Sequence, residues 1–221
     1  VLREDDSGRV ALREVNYATG EIGETVYQNP DWDLTGAMLD EDGEPLAVYY
    51  TDDRDRIVWL RDKEQRLQDR LEKALPGKEV RIVERADDDA MFLVSSTGAD
   101  DPGAIYLYDP AAGRLVMVHK FRPSIDETQL VVPTEITYQA RDGTPIRAVL
   151  TLPRGREARA LPLIVMPHGG PYGVRDKVVY EDQAQMLANR GYAVLQPNYR
   201  GSGGYGEGFV EAGYGQIGRA M

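Results

Sequence analysis

Apolar and polar positions alternate with a period of two through most of the first half of the chain, with Asp, Asn, Gly and Pro clustered between the runs. Side chains of a strand point alternately to its two faces, so this pattern predicts half-buried β-strands joined by tight turns. Residues 10–15 and 24–27 flank Ala18-Thr19-Gly20 as a hairpin, and 35–39 and 46–50 flank Asp40-Glu41-Asp42-Gly43-Glu44. Residues 57–60 follow the polar turn 52–55, and runs at 90–94, 104–108 and 114–118 repeat the scheme. The turn Asp109-Pro110-Ala111-Ala112-Gly113 echoes Asn16-Tyr17-Ala18-Thr19-Gly20. Similar hairpins around a strand-turn-strand unit predict blades of a β-propeller, with a β-sandwich as the alternative. One segment breaks the period: Leu67, Leu71 and Leu75 fall four apart among charged positions. That spacing predicts an amphipathic helix over 61–75, stopped by Pro76-Gly77 and packed on the strands as an insertion.

From about residue 134 the pattern changes. Residues 135–138 and 146–152 bracket Arg141-Asp142-Gly143 as a hairpin, and 163–166 is a near-continuous apolar strand of the kind parallel sheets bury on both faces. Tyr180, Ala184, Leu187 and Ala188 line one face of a helix ended by Gly191, and the strand 192–195 follows. Strand, helix, strand after an antiparallel opening is the start of an α/β sheet. The expected organisation is a partial all-β unit over 1–122, a linker over 123–133 and an incomplete α/β unit over 134–221.

Composition narrows the chemistry. The 221 residues carry 37 Asp+Glu against 26 Lys+Arg, a formal net charge of −11, so a nucleic-acid partner is not expected. No run approaches the ~20 apolar residues of a membrane span, and no membrane partner is expected either. The absence of cysteine excludes disulfides and thiolate metal sites, and two histidines, His119 and His168, exclude a His-rich one. No metal or cofactor is expected. The chain starts at Val1 and closes just after a glycine-rich loop, and both ends read as cut.

Two glycine turns hold the candidate chemistry. The strand 163–166, third in its unit, empties into His168-Gly169-Gly170-Pro171. In α/β-hydrolases the loop after the third strand supplies one backbone N–H of the oxyanion hole, and glycines let such a loop turn sharply beside a substrate. The nucleophile of those enzymes sits in Gly-x-Ser-x-Gly, and none of the five serines, at 7, 95, 96, 124 and 202, has that frame. His168 precedes every position the triad would occupy, so it reads as a hydrogen-bonder that shapes the turn rather than as the base; His119 reads as structural. Gly201-Ser202-Gly203-Gly204-Tyr205-Gly206 spells Gly-x-Gly-x-x-Gly, but it follows a later strand and lacks a downstream acidic partner, which argues against a dinucleotide site. The acidic runs at 40–44 and 87–89 lack the spacing of a calcium loop and read as turns.

The blocks 162-PLIVMPHGGPYGVRD-176, 187-LANRGYAVLQPNYRGSGGYGEGF-209 and 211-EAGYGQIGRAM-221 resemble the prolyl oligopeptidase family of serine peptidases, nearest its acylaminoacyl-peptidase and dipeptidyl aminopeptidase branch. Residues 135–153 look like the entry to that family's catalytic domain, and 102–118 like its last propeller blade. The resemblance implies a late β-propeller segment joined to the first part of an α/β-hydrolase domain, acyl-enzyme chemistry on short peptides, and no cofactor. It implies a longer enzyme whose Ser, Asp and His lie beyond Met221, so that these residues alone are inactive. An esterase of the same fold and a non-catalytic propeller used for binding are the alternatives. Of the catalytic apparatus the chain would keep one oxyanion donor, the backbone N–H of Gly170 or, second, of Gly169. His168, Tyr199 and Arg200 would line the neighbouring pocket wall, with Arg200 fixing the loop by hydrogen bonds. A sheet cut after its early strands would leave an open edge and predicts aggregation of residues 1–221 alone.

Overall fold

The computed structural model describes residues 1–5 and 7–218, which fold into four β-sheets and three α-helices. Strands β1 (Leu2–Glu4), β2 (Val10–Val15) and β3 (Ile22–Tyr27) form one antiparallel sheet, and β4 (Leu34–Leu39), β5 (Pro45–Thr51) and β6 (Asp55–Trp59) form the next. The two meet through Leu12, Leu34 and Val48, against which Val10, Tyr27, Ala37, Tyr50 and Val58 pack. A four-stranded meander follows: β7 (Glu79–Arg85), β8 (Phe92–Gly98), β9 (Asp101–Asp109) and β10 (Arg114–Lys120) pair antiparallel in sequence order.

Helix α1 (Asp62–Ala74) lies where the leucine spacing predicts it. It buries Leu67 and Leu71 against Val80, Phe92, Val94 and Tyr108, which makes it the lid of the meander's core. Gln68 on the same face is 1% exposed, and burial of an amide is tolerated only when its polar atoms are paired. Its Nε2 donates to the Val80 carbonyl at 2.9 Å, and its Oε1 accepts from Trp59 Nε1 at 3.4 Å, tying β6, α1 and β7 together.

The last sheet is different in kind. Strands β11 (Thr134–Gln139), β12 (Pro145–Thr151), β13 (Leu163–Val165) and β14 (Ala193–Asn198) take the spatial order β11-β12-β14-β13. Helix α2 (Asp182–Asn189) connects β13 to β14, and these two are parallel, with Leu163 opposite Ala193 and Val165 opposite Leu195. Helix α3 (Glu207–Glu211) follows the glycine-rich loop. Three details depart from expectation. Tyr180 stands outside α2, its hydroxyl donating to Asp182 at 2.7 Å. Strand β14 runs on through Pro197 to Asn198, because it is held by β12 along Thr151–Arg147. Strand β13, expected to be covered on both faces, is an edge strand with Leu163 and Val165 each 55% exposed. Neither an outer neighbour nor a second layer covers that side among the described residues.

Residues 173–180, between β13 and α2, run as a strap across the turns of the preceding sheets. Val178 N–H donates to Asp53 O at 2.6 Å and Tyr180 N–H to Gly98 O at 3.0 Å. Lys177 Nζ grips both oxygens of Asp55, at 2.9 and 2.8 Å. The Arg175 side chain is 7% exposed; it donates to Thr51 O at 3.2 Å and Asp52 O at 2.5 Å, and lies 4.3 Å from the ring centre of Tyr205 and 5.4 Å from that of Trp32.

Candidate active site

At the C-terminal end of β13 the chain leaves the sheet through Pro167 and turns at His168-Gly169-Gly170. Gly170 adopts φ +124°, a region L-residues avoid, and a Cβ there would stand 2.5 Å from Val174 Cγ2. This position therefore demands glycine on two counts. Gly169 has open space around it and no such demand. Both are exposed, and the Gly170 N–H has no hydrogen-bond acceptor among the described residues.

His168 is held from four directions. Its Nδ1 lies 2.8 Å from the carbonyl of Gly169, and its Nε2 lies 2.8 Å from Ser202 Oγ. The ring stacks on Tyr199 with centroids 4.5 Å apart and planes 17° off parallel, and the Tyr199 hydroxyl donates to the His168 carbonyl at 2.8 Å. A carbonyl can only accept, so Nδ1 carries the imidazole proton; Nε2 then accepts from the serine hydroxyl. A serine 2.8 Å from a histidine has the form of a nucleophile and its base, but Ser202 is 0% exposed and no substrate reaches it. The pair is therefore not a nucleophile and its base.

The glycine-rich loop packs directly on this turn. Gly173 N–H donates to Gly201 O at 2.9 Å, and Gly203 N–H to Val174 O at 3.0 Å. A Cβ on Gly203 would fall 2.4 Å from Gly173 O, so its glycine serves backbone-to-backbone approach and not phosphate contact. Asn198, 1% exposed, closes the arrangement: Oδ1 accepts from Asp176 N–H at 2.7 Å, and Nδ2 donates to Asp176 O and to Tyr205 Oη, both at 2.9 Å. Burial pushes the Asp176 carboxyl upward, opposed by the nearby His168 and by Gln196, and one of its oxygens is buried without a partner.

Arg200, expected to brace its own loop, reaches instead to Asp142 in the β11–β12 turn, at 2.9 and 3.2 Å. The cleft beside the strap is lined by Tyr49, Tyr50, Asp55, Arg56, Arg81, Gly173, Val174, Arg175, Gly203 and Gly204; His168, Tyr199 and Arg200 are not among its lining residues. The structure thus brings His168, Gly169 and Gly170 into one turn, stacks Tyr199 on it from the loop after β14, and ties Arg200 to the β11–β12 turn. Ser202 is a polar residue of the site that local patterning does not reveal: its partner lies 34 positions away.

Residues 179–221 match the family described as the prolyl oligopeptidase family. The chain is 33% identical to dipeptidyl aminopeptidase BIII of Pseudoxanthomonas mexicana over 225 aligned residues, covering 96% of this chain and 32% of that enzyme. It is 31% identical to the acylamino-acid-releasing enzyme of Sus scrofa over 133 residues, 55% of this chain and 18% of the other. Among solved structures, a puromycin-hydrolyzing peptidase of Mycobacterium tuberculosis superposes with a TM-score of 0.70 at 20% identity, over 98% of this chain and 34% of its own. The chain spans about a third or less of the length of the curated relatives it matches. On these matches the chain is a member of the prolyl oligopeptidase family of serine peptidases.

Proposed function

We propose that the chain is the middle portion of a serine peptidase that releases dipeptides or acylated residues from the ends of short peptides. On this reading residues 1–122 are late blades of a β-propeller, 123–133 the linker, and 134–221 the opening of an α/β-hydrolase domain. The four-stranded meander β7–β10 has the form of one blade. The order β11-β12-β14-β13 leaves the outer edge of β13 free for a further parallel strand, where the nucleophile would stand. The observation that carries the proposal is the Gly170 N–H, exposed and without an acceptor among the described residues at the end of β13.

In acyl transfer a serine alkoxide adds to the scissile carbonyl, and the negative charge that develops on oxygen is stabilised by fixed N–H donors. Gly170 supplies one such donor. The second comes from the residue after the nucleophile, and the Ser, Asp and His come from sequence outside these residues. A hydrolase of this kind needs no metal. The test is turnover by the full-length protein: dipeptidyl- and acylaminoacyl-anilides are hydrolysed, and a fluorophosphonate labels one serine. Turnover of short acyl esters without turnover of amides would establish an esterase and defeat the peptidase reading.

A further inference from the structure

The peptide unit between Gly169 and Gly170 contains both the carbonyl that His168 holds and the N–H offered as the oxyanion donor. A trans peptide is planar, and its C=O and N–H point in opposite directions. Whatever fixes the Gly169 carbonyl therefore aims the Gly170 N–H. The fixing group is His168 Nδ1–H, at 2.8 Å, on a ring that Tyr199 clamps by stacking. A neutral imidazole has two tautomers, and in the other one Nδ1 presents a lone pair to the same carbonyl and repels it. The ring must be kept in the first.

We propose that Ser202 is a positioning residue for the oxyanion donor, acting by donating its hydroxyl proton to His168 Nε2. That bond is 2.8 Å long, and the Ser202 hydroxyl, on a residue 0% exposed, has no other partner among the described residues, so accepting from Nε2 would leave its own O–H unpaired; donating instead makes Nε2 the acceptor and leaves the proton on Nδ1. Ser202 is held by its own N–H, which donates to Tyr199 O at 2.9 Å, and by the close approach of Gly203 to Gly173 O. The titratable group nearby is the buried Asp176 carboxyl, which burial pushes upward. The relay runs from the glycine-rich loop through one imidazole to one peptide plane. It gives that loop a catalytic purpose that its resemblance to a nucleotide motif obscures.

The inference rests on the peptidase reading, and its test separates the two. In the full-length enzyme Ser202→Ala should lower kcat on an aminoacyl anilide by roughly 10–100-fold, less than the ~10²–10³-fold lost with a whole oxyanion donor. KM should stay within about twofold, and a peptidyl boronate, whose anionic adduct uses the same donor, should bind weaker by the same factor as kcat falls. His168→Asn keeps an N–H near the Nδ1 position without a tautomer to set. In that background Ser202→Ala should cost no more than about twofold, a non-additivity that general loosening of the loop would not produce. Equal losses in both backgrounds, or a rise in KM alone, overturn the proposal. Should Ser202→Ala fail to fold, nitrogen-15 NMR of the wild-type imidazole decides. A proton on Nδ1 alone is expected for His168, assigned by its loss in His168→Asn; a proton on Nε2 overturns the proposal. A wild-type protein with no amide turnover and no boronate binding would defeat the peptidase reading itself, whereas an active enzyme indifferent to Ser202→Ala defeats only the inference.

Discussion

Replacing Arg175 with methionine removes the most completely enclosed cation of the strap while keeping much of its apolar stem. Two charge-assisted hydrogen bonds are lost, to Thr51 O and Asp52 O, each worth about 1.5–3 kcal/mol when a charged donor is involved. Two ring contacts go with them, on Tyr205 and Trp32, at about 0.5–2 kcal/mol each. Against this stands the cost of taking a guanidinium out of water, several kcal/mol, which the substitution relieves. The same opposition shows in the titration of the group: burial pulls the Arg175 guanidinium below the usual arginine range, even with Tyr205 and Glu135 nearby to hold it up. The balance is a net loss of about 2–4 kcal/mol, concentrated where the strap crosses the earlier sheets. That corresponds to a fall in amide-exchange protection of about 30- to 700-fold at Val178 and Tyr180, whose N–H groups bond to Asp53 O and Gly98 O. Amides of β8, at the centre of the meander, should not change. Arg175→Lys retains the charge but not the planar fork, and should lose roughly half as much in free energy. Hydrogen exchange read by mass spectrometry on the full-length protein measures all three. Unchanged protection at Val178 and Tyr180 in Arg175→Met would refute the reasoning.

Two further outcomes follow from single residues. Gly170→Ala places a Cβ 2.5 Å from Val174 Cγ2 at a φ only glycine tolerates well, so the turn must shift and kcat should fall by roughly 10²-fold or more at near-constant KM; Gly169→Ala, with open space around it, should fall far less. Asp52 is pushed up by burial, but its contacts with Asp53 and with Arg56, at 2.9 Å, bring its carboxyl down to about 2. A depressed folded value means the stabilisation is full above the unfolded value of about 3.9 and is lost as pH falls from there toward 2. The melting-temperature difference between wild type and Asp52→Asn should therefore be constant above about pH 5 and close below pH 4; parallel curves down to pH 2 would contradict it.

Period-two alternation located β2, β4, β5, β8 and β9 because each buries residues of one face of a sheet, and the four-residue leucine spacing located α1 for the same reason; β10 was located too, although none of its residues is buried. Strand β7 escaped notice: Glu79, Arg81, Glu84 and Arg85 make it look like a charged loop, and Val80 is its only fully buried residue. Strand β14 was read short, since proline and asparagine usually end a strand; here Pro197 pairs opposite Ala148, and Asn198 is satisfied by the strap backbone. Strand β13 showed its identity but not its exposure, because a run of apolar residues does not say how many neighbours it has. The turn at 168–170 was visible from composition, since closely spaced glycines after a strand have few uses. Its support was not. The bond from His168 to Ser202 spans two loops with no periodicity between them, and Arg175 belongs to a residue class that sequence reasoning leaves at the surface.

The strap makes the mechanical boundaries of this protein differ from the boundaries its pattern suggests. Only three residues separate Gly170 from Val174, whose neighbour Arg175 is clamped to Thr51 and Asp52, so the rigidity of the turn is borrowed in part from strands more than a hundred positions earlier. Recombination between relatives that cut at residues 123–133 would keep all four sheets whole and still separate Arg175 and Lys177 from Thr51, Asp52 and Asp55, and Tyr205 from Trp32. A functional chimera has to carry these partners as one inherited unit, although they lie on opposite sides of the cut.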